Sequence, residues 1–165
     1  GFEQALVTLD DGSERMLYTS PVAAEDLTDV ESLRACPSIW QEYVSKHVEI
    51  RATVFGHTVL AAEIHSQQSE KSRHDWRCYD LEHTPYAPHV LPAEIQVKCI
   101  KLLQTFGLFY GAMNLIRTVD GTYVILEMNP FGQRAWGQDL CGLPLAEAHC
   151  RLFRLLIDGS FHYAC

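Results

Sequence analysis

The segment Phe109-Tyr-Gly-Ala-Met-Asn-Leu-Ile-Arg-Thr-Val-Asp-Gly-Thr-Tyr-Val-Ile-Leu-Glu-Met-Asn129 has the composition of two β-strands joined by a tight turn. An Asp-Gly pair between runs of β-forming residues is typical of a type I′ hairpin, so the sequence predicts a two-residue loop at Asp120-Gly121. That loop sets the register of the strands and places Asn114 directly opposite Glu127. Opposed side chains share a face of the sheet, with Cβ atoms about 5 Å apart. The hairpin is therefore expected to bring an amide and a carboxylate together.

Asn129 adds a third oxygen-bearing side chain to this pair. It follows Glu127 by two residues and so points to the same face of the strand. One carboxylate and two amide oxygens are ligands that Mg²⁺ accepts, usually together with substrate phosphates. A polar strand end that faces water is the alternative. We expect Tyr123 and Ile125 to share the face of Glu127, which favours a metal site at Asn114, Glu127 and Asn129, because a charge among apolar side chains is costly unless it is coordinated.

Composition excludes several classes of function. The 165 residues carry a net charge of −8, and 47% of them are hydrophobic, which is typical of a globular domain. The acidic balance argues against binding to nucleic acid or to a membrane surface, since both need a basic field. The six cysteines lack metal-ligand spacing, which favours a reduced, cytoplasmic protein. The chain begins at Gly1 within an apparent strand or loop, so we expect it to be part of a longer protein.

Hairpins and helices alternate along the rest of the chain. In chain order we expect a hairpin over residues 4–19, a short helix over 20–35, a strand over 38–44, a hairpin over 49–55 and 58–64, an irregular stretch over 65–91, and helices over 92–106 and 144–157. The apolar stripes of the two long helices include Phe106 in the first, and Phe153 and Ile157 in the second. This order predicts an α+β fold with helices packed on a largely antiparallel sheet.

A second group of polar residues follows the segment Trp40-Gln-Glu-Tyr-Val-Ser-Lys46. Glu49 and Arg51 are two residues apart on a predicted strand and share one face, while Ile50 and Ala52 face the core. A carboxylate can bind ribose hydroxyls, and the planar guanidinium of arginine suits phosphate, so the pair is compatible with a nucleotide. A surface ion pair worth less than about 1 kcal/mol is the alternative.

Taken together, these motifs resemble the ATP-grasp superfamily, and most closely its ribosomal peptide maturases of the microviridin, or graspetide, type. The phrases that carry the resemblance are Tyr18-Thr-Ser20, Gln41-Glu-Tyr-Val-Ser-Lys46, Glu49-Ile-Arg51, Ala61-Ala-Glu-Ile-His-Ser66, Asp75-Trp-Arg77 and Leu126-Glu-Met-Asn-Pro-Phe-Gly-Gln133. The resemblance implies the C-terminal portion of an ATP-grasp enzyme. Residues 1–44 would be the remnant of the central subdomain, ending in the hinge strand, and residues 45–165 the C-terminal subdomain with the metal site.

The resemblance also implies roles for single residues. Four hinge residues would hold adenine, mostly through backbone groups: Gln41, Glu42, Tyr43 and Val44. Glu49 would bind the ribose. Arg51 and Arg77 would contact phosphate or an acyl phosphate. Glu127 and Asn129 would hold Mg²⁺ between the β- and γ-phosphates of ATP.

The implied reaction is ATP-dependent ligation. A side-chain carboxylate of a precursor peptide would become an acyl phosphate, which a hydroxyl or amine would then attack to close a macrocycle. Position 114 is Asp in the family pattern, so Asn114 keeps an oxygen but removes one negative charge.

This change favours an alternative, a catalytically degenerate module that binds a peptide or protein partner. An unrelated α+β domain is the third reading. The family's phosphate-binding lysines would precede Gly1, so we expect this chain to be inactive alone, and an unpaired sheet edge would favour a homodimer.

Overall fold

A computed structural model describes residues 6–16, 18–35, 38–78 and 80–163. The strands are β1 (Leu6–Thr8), β2 (Glu14–Met16), β3 (Val48–Phe55), β4 (Thr58–Ile64), β5 (Tyr86–His89), β6 (Tyr110–Arg117) and β7 (Tyr123–Asn129). The α-helices are α1 (Val30–Ala35), α2 (Ala93–Thr105), α3 (Ala135–Cys141) and α4 (Leu145–Ile157). Five strands form an antiparallel sheet in the order β5-β4-β3-β6-β7, and β1 pairs with β2 separately. The predicted α+β class is confirmed.

The central strand β3 is buried along its whole length because both of its faces are covered. On one face, Ile50 and Val54 pack against α2 through Cys99 and Leu103. On the other face, Phe55 packs against α4. Each fully buried aliphatic side chain contributes about 1.5–3 kcal/mol. This packing fixes the orientation of β3, so that its remaining polar residues lie on the face opposite α2, as the alternation predicts.

The β6–β7 hairpin differs from the prediction at its tip but agrees with it at the polar pair. Thr118 N donates to Thr122 O at 2.9 Å, so residues 119–121 form the loop rather than two residues alone. A β-bulge then inserts Leu126 between the pairs Asn114↔Glu127 and Leu115↔Ile125. The bulge offsets the longer loop, and the predicted pairing of Asn114 with Glu127 is confirmed.

The bulge also changes which side chains accompany Glu127. Tyr123 packs with Met128 against the core cluster beneath α2, and Ile125 pairs with the core residue Leu115, so the expectation that these two side chains share the face of Glu127 is wrong. Leu126 lies on the face of Glu127 instead. An extra residue in one strand reverses the alternation on one side of the bulge, which a period of two cannot foresee.

Three segments differ from the sequence prediction. Residues 38–46 form no strand, because no other strand pairs with them, so the predicted strand over 38–44 is wrong. The stretch predicted as irregular contains β5, in which Pro88 is tolerated because β5 is an edge strand. The predicted helix over 20–35 is divided into a 3₁₀ turn (Glu25–Thr28) and α1.

Helix α3 was not predicted, and further differences concern the first hairpin and the apolar stripes of the long helices. The hairpin over 4–19 is confirmed for β1 and β2, whereas its residues 4, 5 and 17 lie outside the described ranges. Phe106, Phe153 and Ile157 were expected to face inward, but 62%, 53% and 86% of each is exposed. Phe106 and Ile157 lie at the C-terminal ends of their helices, and the ring of Phe153 stacks on His149 within α4. No helix within the described ranges is both long and apolar enough to cross a membrane.

Candidate functional site

A cleft of about 1000 Å³ opens over the polar face of β3. Its volume is at the upper end of the range for small-molecule sites. Nine of the ten residues predicted for the site line it: Gln41, Glu42, Tyr43, Val44, Arg51, Arg77, Asn114, Glu127 and Asn129. We call the last three of these together with Arg51 the cleft floor, and residues 38–46 and 74–77 the cleft rim. The register of the paired strands positions the floor residues, whereas the rim residues lie in segments without β-pairing.

Hydrogen bonds connect three of the floor residues, Arg51, Asn114 and Glu127, across three adjacent strands. Arg51 Nη1 donates to Asn114 Oδ1 at 2.7 Å, and Asn114 Nδ2 donates to Glu127 Oε1 at 2.6 Å. The order β3-β6-β7 makes this possible, since Arg51 pairs with Asn114 and Asn114 with Glu127. Arg51 and Asn114 are buried, with 8% and 9% of each exposed. Three of the four floor residues therefore form a fixed line of one cation, one amide and one carboxylate.

Gly132 was not singled out from the sequence, yet it makes room for Arg51. A Cβ at this position would lie 2.6 Å from Arg51 Nη2 and 2.4 Å from the Cβ of Ala112. Arg51 Nη2 also donates to Gln133 O at 3.3 Å, and Tyr110 Oη donates to Gly132 O at 2.6 Å. The turn after β7 thus approaches the guanidinium so closely that only glycine fits. The sequence signal was present in the phrase Asn-Pro-Phe-Gly-Gln.

Arg77 is held at the rim by Asp75. Arg77 Nε and Nη2 donate to the two oxygens of Asp75 at 2.8 and 2.7 Å, and Nη2 reaches Thr19 Oγ1 at 3.1 Å. Burial acts to raise the pKa of the Asp75 carboxyl, but hydrogen bonds from Arg77 and from Thr19 N prevail, and the pKa is lowered. Asp75 in turn raises the pKa of Arg77. This arrangement anchors the segment near Thr19 to the rim.

Glu49 is the one predicted site residue that does not line the cleft. Its Oε1 accepts from Lys46 Nζ and from Ser66 Oγ, both at 2.7 Å, and only 5% of the residue is exposed. Burial raises the pKa of the Glu49 carboxyl, although Lys46 acts in the opposite direction. The carboxylate is thus occupied by hydrogen bonds from protein groups, and its contact with a ribose stays a prediction.

Lys46 and His74 line the cleft, although no role was predicted for either residue. Lys46 Nζ donates to His74 O at 3.0 Å, and Tyr43 Oη lies 3.2 Å from His74 Nδ1. These contacts connect residues 38–46 with the loop before Asp75. Lys46 is the last residue of the segment 41–46, and His74 directly precedes Asp75-Trp-Arg77. The motifs therefore drew attention to both regions, but not to the contact between these two residues.

Aromatic side chains form part of the cleft wall. The rings of Trp76 and Trp136 are 5.1 Å apart between centroids, and Tyr86 meets Trp136 edge-on at 5.6 Å. Trp136 thus packs against other aromatic rings, while 52% of Trp40 is exposed in the wall. Phe131, just after the floor, is 77% exposed.

The floor fits a divalent cation only in part. Within the described ranges, no group of three or more His, Cys, Asp or Glu side chains could hold a metal ion, and the predicted trio has a single carboxylate. Glu127 and Asn129 line the cleft from the same strand, and Asn129 Oδ1 accepts from Phe131 N at 2.8 Å, which leaves that oxygen one lone pair. Asn114 directs its oxygen to Arg51 instead. Phosphates and water would have to supply most of the ligands.

A scan of the chain against protein-family models and a search of curated proteins found no match. Solved structures do match. The RiPP-associated ATP-grasp ligase of Chryseobacterium gregarium, in complex with ADP and a leader and core peptide, is 31% identical, with a TM-score of 0.74 over 82% of this chain. The macrocyclase MdnC of Microcystis aeruginosa MRC, bound with precursor peptide MdnA, is 33% identical, with a TM-score of 0.72 over 88%.

A third match supports the fold alone. The ATP-grasp ligase PsnB, complexed with a phosphomimetic variant of a minimal precursor, Mg and ADP, is 20% identical, with a TM-score of 0.62 over 88% of this chain. The chain spans 41–42% of the length of these three proteins. The order of motifs, the sheet and these similarities agree. The chain belongs to the ATP-grasp superfamily, among the graspetide-type ribosomal peptide maturases.

Proposed function

We propose that the protein containing this chain is an ATP-dependent ligase that activates a side-chain carboxylate of a precursor peptide and closes a macrocycle of the microviridin type. The observation that carries the proposal is the cleft, in which Arg51, Arg77 and Glu127 face a common volume. Two ligases at 31% and 33% identity were solved with a leader and core peptide or a precursor peptide. Both the nucleotide and the peptide are carried over to this protein as part of the proposal.

The nucleotide would lie between the rim and the floor. The hinge residues Gln41 to Val44 would hold adenine, chiefly through backbone groups. Arg51 and Arg77 would bind phosphate oxygens, for which a guanidinium has matching donor geometry. Lys46 lines the cleft two residues after Val44 and donates a hydrogen bond to Glu49, so both residues would lie on the ribose side.

Glu127 and Asn129 would hold Mg²⁺, and the donor chemistry of this pair fits a hard cation that keeps phosphate and water ligands. When bound, the ion supplies charge neutralisation at the β- and γ-phosphates. Arg51 positions Glu127 through Asn114, so the carboxylate is oriented before any ligand arrives. Fixed donors and charges need no reorganisation during the reaction, which is how such sites lower barriers.

The proposed reaction needs no covalent intermediate between the protein and its substrates. An oxygen of the peptide carboxylate attacks the γ-phosphorus of ATP, the bond to the bridging oxygen breaks, and ADP leaves. A hydroxyl or amine of the peptide then attacks the acyl carbon, loses its proton and releases phosphate. Arg51 and Arg77 would offset the charge that develops on the transferred group. The wall of Trp76 and Trp136 would keep water from the acyl phosphate.

The domain division and surroundings of the site are also proposals. Residues 1–44 would belong to the central subdomain and residues 45–165 to the C-terminal one. The described cysteines Cys78, Cys99, Cys141 and Cys150 are free thiols, which is compatible with a reducing cytoplasm. β5 and β7 are the outer strands of the sheet, and pairing between copies at one of these edges would produce the expected homodimer.

A catalytically degenerate module that binds a peptide without turnover is the second candidate. The specific observation in its favour is the floor itself, because Asn114 leaves it with one carboxylate where the family pattern has two. Such a module would bind ADP and a peptide and leave the peptide unchanged.

The test is co-expression of the full-length protein with the precursor peptide encoded beside its gene, followed by mass spectrometry of the peptide. We expect the loss of one water for each bond formed. Glu127→Ala should abolish that loss, whereas Glu94→Ala, at an exposed position of α2, should not. An unmodified peptide bound to a nucleotide-loaded wild-type protein would contradict the ligase and favour the binding module.

A further inference from the structure

Asn114 lies between a group that only donates hydrogen bonds and a group that only accepts them. Its Oδ1 is 2.7 Å from Arg51 Nη1, and its Nδ2 is 2.6 Å from Glu127 Oε1. A rotated amide would place its NH₂ against the guanidinium and its oxygen against the carboxylate, so that both contacts become repulsive. The neighbours therefore determine a single orientation of this amide, with its oxygen directed away from Glu127.

The neighbours have little freedom to release the amide. Arg51 is 92% buried, and its Nη2 donates to Gln133 O at 3.3 Å. Gly132 approaches Nη2 so closely that a Cβ there would be 2.6 Å away. Because the guanidinium is confined in this way, its hydrogen bond to Asn114 Oδ1 is maintained. The oxygen expected to bind a metal ion therefore keeps only one lone pair, beside a positively charged guanidinium that repels a cation.

Charge leads to the same conclusion. Arg51 and Glu127 carry opposite charges and Asn114 carries none, so the connected floor is neutral. Glu127 also shares one oxygen with the amide donor. A free divalent cation entering the floor would meet no net negative charge and few uncommitted oxygens, and it would have to lose hydration water to bind.

We propose that Asn114 is a neutral bridge rather than a metal ligand, and that this site consequently takes its divalent cation only together with the phosphates of a nucleotide. This inference rests on the proposed function, because it assumes that a nucleotide enters the cleft. Asn114 is thus a positioning residue that orients Glu127 and makes metal binding depend on the nucleotide.

Asn114→Asp is the informative variant. An aspartate would still accept from Arg51, but its second oxygen would face Glu127 Oε1 at the place where Nδ2 now donates. Two carboxylates in such contact repel each other unless a cation or proton lies between them. The variant should therefore acquire a metal site that needs no nucleotide, and its thermal stability should rise on addition of Mn²⁺, whereas that of the wild type should not.

The experiment is a Mn²⁺ titration of the full-length protein, followed by electron paramagnetic resonance, with and without ADP. We expect wild-type protein to bind Mn²⁺ only when ADP is present, and Asn114→Asp to bind Mn²⁺ alone at least about tenfold more tightly than wild type, the scale on which partners of metal ligands act. Gln104→Glu adds the same charge on α2, on the other side of the sheet, and should behave as wild type.

The outcomes separate the two proposals. Equal Mn²⁺ affinity of the wild type and Asn114→Asp without ADP would overturn the bridge and leave the ligase intact. A wild-type protein that binds no ADP with Mn²⁺ would overturn the proposed function, while nucleotide-free Mn²⁺ binding gained by Asn114→Asp would still support the bridge. If Asn114→Asp does not fold, the wild type decides: Mn²⁺ bound without ADP contradicts the bridge, and binding only with ADP supports it.

Discussion

The floor and the rim of the cleft are built in different ways. The floor side chains stand on paired strands, so the register of β3, β6 and β7 sets the distances between Arg51, Asn114 and Glu127. The rim has no such ladder and is held by side chains that reach between distant segments, as Asp75 does with Thr19 at 3.0 Å. Under the proposed function, we expect the floor to supply fixed charges for chemistry and the rim to contact the nucleotide. Substitutions in the floor should therefore have larger effects than those in the rim.

The largest effect is expected for Arg51→Met. The change removes the floor's cation and leaves Asn114 Oδ1 buried without its donor, which costs about 1–3 kcal/mol of stability. Loss of one fixed donor to a developing charge lowers activity by about 100–1000-fold. Peptide modification rates and urea unfolding measure the two effects. Arg15→Met, at an exposed position of β2, is the control. An equal loss of activity in that variant would show that the cation at Arg51 has no specific role in the reaction.

Gly132→Ala should have the second largest effect, because its Cβ would displace Arg51 without removing it. A misplacement of about 1 Å can lower activity about 100-fold. The matched control is Gly111→Ala, whose Cβ would meet Leu103 Cδ1 at 2.6 Å on the α2 side. Both variants should be destabilised by about 1–3 kcal/mol through overpacking, which urea unfolding measures. If both lose activity to the same extent, stability rather than the position of Arg51 explains the loss.

At the rim, Asp75→Asn should reduce activity about tenfold or less and change the pH dependence of stability. The folded-state pKa of Asp75 lies below its usual value of 3.8. The carboxylate therefore stabilises the fold above the unfolded pKa and loses this contribution as the pH falls through the folded-state pKa. Urea unfolding from about pH 6 to 2 should show a smaller acid-side decline in the variant. Parallel declines in both proteins would show that the Asp75–Arg77 pair does not stabilise the fold.

The smallest effect is expected for Tyr43→Phe. The change removes a 3.2 Å contact with His74, and Tyr43 is 55% exposed. Exposed substitutions of this kind usually alter stability by less than about 0.5 kcal/mol. Activity measured at saturating ATP should stay within about twofold of wild type. A loss as large as that of Gly132→Ala would remove the distinction between rim and floor.

The same distinction explains what the sequence could predict. Alternation placed Glu49 and Arg51 on one face of β3, and it paired Asn114 with Glu127, because local periodicity and one turn determine a register. The two-residue loop was wrong, and the pairing survived only because the bulge at Leu126 offset the added residue. Bulges arise from tertiary packing, so a local sequence pattern does not predict them.

The rim shows where sequence reasoning ends. Residues 38–44 have β-forming composition, yet they pair with no strand. The hydrogen bond from Lys46 to His74 O joins residues far apart in the chain, and the spacing of neither predicts it. The resemblance to graspetide-type maturases correctly indicated the family, while the role of each rim residue depends on contacts that only the structure shows.

Isotope labelling tests directly whether the peptide carboxylate becomes an acyl phosphate. The precursor peptide would be labelled with oxygen-18 in its side-chain carboxylates and incubated with ATP and the full-length protein, and the released phosphate would be examined by mass spectrometry. Activation as an acyl phosphate predicts that each phosphate carries one oxygen-18 atom from the peptide, at a yield that matches macrocycle formation and disappears in Arg51→Met. Phosphate without the label, released while macrocycles form, would contradict activation of the carboxylate as an acyl phosphate.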